Sequence, residues 1–84
     1  MRTIPISTTS GDIALDALYA EFLCERLFDA GKTAIAFAQH GQVWVKTDAP
    51  EEAFKDACTE ADVPYQAFLR VTCPELKEMP RLVA

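Results

Sequence analysis

No apolar run in this chain is longer than the five residues "AIAFA", Ala34–Ala38, whereas a helix spanning a bilayer needs roughly 20. The N-terminal "MRTIPISTTSG" has no hydrophobic stretch followed by a small-residue cleavage site, so it does not read as a signal peptide. Cysteine is sparse and odd in number: Cys24, Cys58 and Cys73 are widely spaced with no CxxC. Reduced thiols in a cytosolic setting are the expectation. One histidine and three scattered thiols make no metal-ligand set. Positive charge is also short, with eight Lys and Arg against thirteen Asp and Glu. The resulting net charge of −5 argues against direct nucleic-acid affinity, which depends on cations that neutralise phosphates.

Half of the 84 residues are hydrophobic and a quarter charged, a globular composition. A chain this short buries roughly 60–65% of the surface it exposes when unfolded, so one domain over 1–84 is expected, with little stability to spare. "RTIPIS" alternates as a short strand, and Pro5 marks it as irregular or close to a sheet edge. In "TTSGD", Thr9 or Ser10 is placed to cap a helix and Asp12 to favour its positive end. That helix runs to about Ala30, with Gly31 suited to its exit. "KTAIAFAQ" and "QVWVKT" flank His40-Gly41, which predicts a hairpin with a two-residue turn. Asp48, Pro50 and Glu51 open a second helix to about Asp62, and Pro64 ends the connection. "YQAFLRVT" reads as a last strand, and residues 74–84 as a tail.

The order β-α-β-β-α-β predicts an α+β, ferredoxin-like plait: a four-stranded antiparallel sheet with two helices on one face. Ile4, Ile6, Ile35, Phe37, Val43, Val45, Leu69 and Val71 are the expected helix-facing strand positions. The chemistry this fold often carries lacks its residues here. The first loop, "STTSGD", holds neither the CxxC of a heavy-metal carrier nor the arginine of an acylphosphatase. "QVWVKTD" matches an RNA-recognition strand only in having one aromatic. Trp44 with Lys46, and Phe68 with Arg70, share strand sides and suggest a stacking platform, but a tail or second subunit covering them is the simpler reading. The Ser7–Ser10 hydroxyls suggest an anion cradle, which Asp12 opposes, so capping is favoured. His40 is expected as a turn residue, Cys24 and Cys58 as core, and Cys73 as a thiol with no base beside it. No catalytic group, cofactor or metal is assigned.

The first helix has two apolar sides. Ile13, Ala17, Ala20, Leu23, Cys24, Leu27 and Phe28 fall in one arc, expected to face the sheet. Leu15, Leu18, Tyr19 and Phe22 form a second i, i+3, i+4, i+7 set, read as an anchor for association, with burial by the second helix and the tail residues Leu76, Met79 and Leu82 as the alternative. The helical segments with their caps hold eleven acids against Arg26 and Lys55, a net of −9, while the remainder is +4. Leu15, Leu18, Tyr19, Phe22, Glu25, Asp29, Glu51, Glu52 and Asp56 are therefore the expected partner-binding residues. They would meet a larger protein with a basic surface, a second copy of the chain, or both. No membrane partner is expected.

In size, acidity and lack of a catalytic constellation the chain resembles, as a class, the small inhibitors encoded by phages, anti-CRISPR proteins among them. That resemblance implies a non-enzymatic domain that blocks or modulates a larger, nucleic-acid-processing protein. Two alternatives stand beside it. The element order is similar to that of ACT domains, which implies a ligand-sensing module using the Ser7–Asp12 loop. A homodimeric structural protein is the other.

Overall fold

The computed structural model describes residues 1–8 and 11–72, in the order β1 (Arg2–Ile6), α1 (Ile13–Asp29), β2 (Ala34–Gln39), β3 (Gln42–Thr47) and α2 (Glu51–Thr72). His40 and Gly41 both hold positive φ, 53° and 73°, the requirement at the two central positions of a type I′ hairpin turn. Gln39 therefore stands opposite Gln42, and β2 pairs antiparallel with β3. β1 pairs antiparallel with the other side of β3, giving a three-stranded sheet in the order β1-β3-β2. Pro5 lies on an edge strand of this sheet, where a missing N–H costs no ladder bond.

The hairpin overturns one expectation. Its register sets Ala38 against Val43, Ala36 against Val45 and Ala34 against Thr47. Val43, Val45 and Thr47 are buried beneath the helix layer, so the three alanines share that side. Ile35 and Phe37 fall instead on the opposite face, beside Lys46 and Trp44. Small side chains on the helix side let α1 cross close to β2. Thr47 is buried with both hydrogen-bonding functions used: its hydroxyl donates to the Thr33 carbonyl at 2.7 Å and accepts from the Ala49 N–H at 3.1 Å.

α1 begins on Asp12, whose carboxylate accepts the Ala14 N–H at 2.8 Å. Thr9 and Ser10, expected as caps, lie outside the described residues. The helix closes in a Schellman arrangement: the Gly31 N–H donates to the Phe28 carbonyl and the Lys32 N–H to that of Leu27, each at 2.9 Å. Gly31 takes the left-handed φ of 78° that this exit demands. Asp48 does not cap α2 as expected; its carboxylate accepts the Thr33 N–H at 2.9 Å and ties the β2 entry to the β3 exit.

The second correction concerns α2. The segment Tyr65–Thr72, expected as a fourth strand, is helical, and α2 runs through Pro64 without ending. The reason is visible in the spacing Ala57, Ala61, Tyr65, Leu69, four apart and all buried. A proline inside a helix costs roughly 3 kcal/mol. Burying a large side chain returns about 1.5–3 kcal/mol, and Tyr65 and Leu69 are both fully buried. Leu69 thus reaches the core from a helix rather than a strand, and Val71 is exposed instead of facing it. The 74–84 tail and Cys73 lie outside the described residues.

The two helices pack against each other, and α1 also rests on the sheet. Tyr19 and Tyr65 meet edge to face with ring centres 5.1 Å apart and planes at 87°. The Tyr19 hydroxyl donates to the Cys58 carbonyl at 2.9 Å. This contact reassigns the two arcs of α1. The arc holding Tyr19 turns toward α2, with Leu15, Leu18 and Phe22 half-buried against the core. Ile13 and Phe28, expected inside, stand at the helix ends and are 44% and 57% exposed.

Candidate interaction surfaces

Chemistry-bearing side chains are dispersed. Among the described residues no group of three His, Cys, Asp or Glu stands together to hold a metal ion. His40 is exposed on its turn. Cys24 is buried, and burial, with Glu21 nearby, pushes its thiol up. Burial also pushes the Cys58 thiol up to about 11, against a smaller opposing effect of its hydrogen bond with Tyr19. Both therefore stay protonated at neutral pH and are poor nucleophiles.

A cavity of about 480 Å³ opens between β1 and the first turns of α2, lined by Arg2, Ile4, Phe54, Lys55 and Cys58 among others. Its two cations are engaged. The Arg2 guanidinium donates to the Ala49 carbonyl at 2.8 Å, and the Lys55 ammonium lies 3.8 Å from the Glu51 carboxylate. Within the Ser7–Asp12 loop, the place for a small-ligand site under the ACT-like reading, Thr8 is bonded internally. The Thr8 N–H and hydroxyl both donate to the Asp16 carboxylate at 2.8 Å.

The residues expected to bind a partner separate into two groups. Tyr19 is buried, and Leu15, Leu18 and Phe22 are half-buried, so the apolar anchor is occupied within the molecule. Glu25, Asp29, Glu51, Glu52 and Asp56 are all exposed. All but Glu51 belong to two longer stripes at i, i+4, i+8 spacing, Glu21-Glu25-Asp29 on α1 and Glu52-Asp56-Glu60 on α2, exposed throughout. Arg26 lies between Glu25 and Asp29, at 3.4 and 3.1 Å, and partly neutralises the α1 stripe. Extending α2 to Thr72 adds Arg70 to the helix layer, one base more than the sequence boundary placed there.

The face suggested by Trp44 and Lys46 lies on the far side of the sheet, and Ile35 and Phe37 are the residues on it that sequence reasoning missed. Pro5, Trp44 and Phe37 stand directly opposite one another across the three strands, and Thr3, Lys46 and Ile35 form the next row. Trp44 and Phe37 are half-buried, while Ile35 is 56% exposed. Phe68 and Arg70, expected to share a platform with Trp44 and Lys46, are carried on α2 instead. No helix of the described residues is long and apolar enough to cross a membrane. No known protein family, curated protein or solved structure matches this chain.

Proposed function

We propose that the chain is a small non-enzymatic interaction domain whose acidic helix layer docks onto a basic surface of a larger protein and modulates it. The observation that carries this reading is the pair of carboxylate stripes. Like charges at i, i+4 each cost a helix roughly 0.2–0.5 kcal/mol, and the two stripes contain four such steps. A domain of this size, with little stability in reserve, bears that cost without a compensating contact on the α2 stripe among the described residues. Fields of this kind steer encounter with a cationic partner and fix orientation more than they add affinity. An inhibitory role of the phage-encoded kind belongs to this reading, since an acidic layer imitates in charge the nucleic acid that a basic groove is built to hold.

The strand order supports the plait reading for the first four elements. A split β-α-β unit with the third strand between the first two, antiparallel to both, is the arrangement that fold uses. The fourth strand of a complete plait does not occur among the described residues.

The test is capture from a bacterial lysate with the native chain and with a Glu52→Lys, Asp56→Lys, Glu60→Lys variant, followed by association kinetics with the identified partner. The native chain is expected to associate more slowly as salt rises, and the variant to associate slowly at all ionic strengths. All three positions are exposed, so the variant should keep its circular dichroism spectrum. Equal association rates for both proteins, or rates indifferent to salt, sink the proposal.

A further inference from the structure

The sheet face turned away from the helices, which no element of the described residues covers, points to a second copy of this chain as its occupant: we propose that two copies stack sheet on sheet, with Trp44 at the centre of the contact. Of the strand residues on this side, Thr3, Pro5, Ile35, Phe37, Trp44 and Lys46 form its body, and none belongs to the core beneath the helices. The face carries one cation and no carboxylate.

Charge selects the occupant. Each copy carries −5, so two copies repel at most approaches, and the helix layers repel most. Meeting through the sheets brings no carboxylate against another. Stacked sheets lie about 10 Å apart, and both helix layers then lie outside them. The acidic stripes are held apart by more than the roughly 8 Å over which physiological salt screens. A single-stranded nucleic acid is less well served. Trp44 and Phe37 offer rings for stacking, but a phosphate backbone needs several cations along its path, and this face supplies Lys46.

Area sets the strength. Three strands about 4.8 Å apart, with five residues each at about 3.3 Å, give a face of roughly 250 Å² in plan. Side-chain relief raises the buried surface to about twice that per copy, on the order of 1,000 Å² in all, below the standard interface of about 1,600 Å². A weak, reversible dimer with a Kd on the order of micromolar or above is the consequence. The contact is isologous, so each substitution acts twice.

Trp44 is the sole tryptophan, and its emission reports on this face alone. Sedimentation equilibrium of the full chain over a wide concentration range should show the mass rising toward that of a dimer, with a parallel blue shift of Trp44 emission. Ile35→Lys should weaken dimerisation at least tenfold while keeping the helical circular dichroism, because Ile35 is largely exposed. Thr3→Lys, also exposed and on the same face, provides the second variant and should act in the same direction. A monomer at every concentration overturns the proposal. So does a dimer that forms without a tryptophan shift, which would place the contact at a sheet edge or on the helices. Quenching of Trp44 by oligothymidylate, strongest at low salt and without dimerisation, would assign the face to nucleic acid instead. Acidic docking does not depend on the result, since it is read from a different surface and by a different variant.

Discussion

At the scale of single residues, the junction of Tyr19 with Cys58 decides how the fold responds to base. Burial is the largest cause holding both groups in their neutral forms. The Cys58 thiol is raised from 9.0 to about 11, and the Tyr19 phenol is pushed up as well, with Cys58 and Asp62 adding to the burial effect. A group whose folded pKa exceeds its unfolded one favours folding while it stays protonated. That stabilisation is complete below the unfolded value and disappears as pH rises through the folded one. Urea midpoints should therefore hold steady from neutral pH to about pH 9 and fall between 9 and 11, the interval that Cys58 defines. Cys58→Ser combined with Tyr19→Phe should flatten the fall. An unchanged midpoint across that interval would show that neither group titrates differently in the two states.

Elements were legible in the sequence where the signal was local. The α1 span, the two-residue hairpin and the Gly31 exit each rest on residues adjacent in the chain, and all are found as read. What was misread depended on combining two local signals. A two-residue turn at His40-Gly41 pairs residues whose numbers sum to 81, so Phe37 must share a face with Trp44. Placing one inside and the other outside contradicted the hairpin itself. Pro64 was weighed as a stop because its cost is local, whereas the burial that outweighs it depends on α1. Once Tyr65 belongs to a helix, the second apolar side of α1 has a covering element, and the interface reading of that side loses its basis. Replacing both Leu18 and Phe22 with Asp should then unfold the domain or lower its stability by several kcal/mol, since each change brings a charge against the core. Thermal melts followed by circular dichroism check this. A variant as stable as the native chain would return those side chains to the surface. The acidity of the helix layer was legible from a count of charges by segment, because solvated charge requires no tertiary partner to be recognised.

At the scale of the whole molecule, charge and shape are segregated: carboxylates on the helix layer, an apolar face across the sheet, and strand edges at β1 and β2. β2 has a consequence of its own. "AIAFAQ" presents six residues without a charge or a proline along an outer strand, with no strand of the described residues paired to its outer side. Such an edge is a template on which further strands can add without limit, the geometry from which cross-β fibrils grow. A net charge of −5 opposes such growth at neutral pH through repulsion between copies, and it vanishes near the isoelectric point of about 4.6. Incubation there should yield aggregates that bind thioflavin T, while the same concentration at pH 7 stays clear. Lys in place of Ala36 should delay their appearance by keeping charge on the edge, whereas fibrils forming equally fast in both proteins would place the template elsewhere. On this expectation, the carboxylates proposed to dock the domain are also the groups that keep it from polymerising.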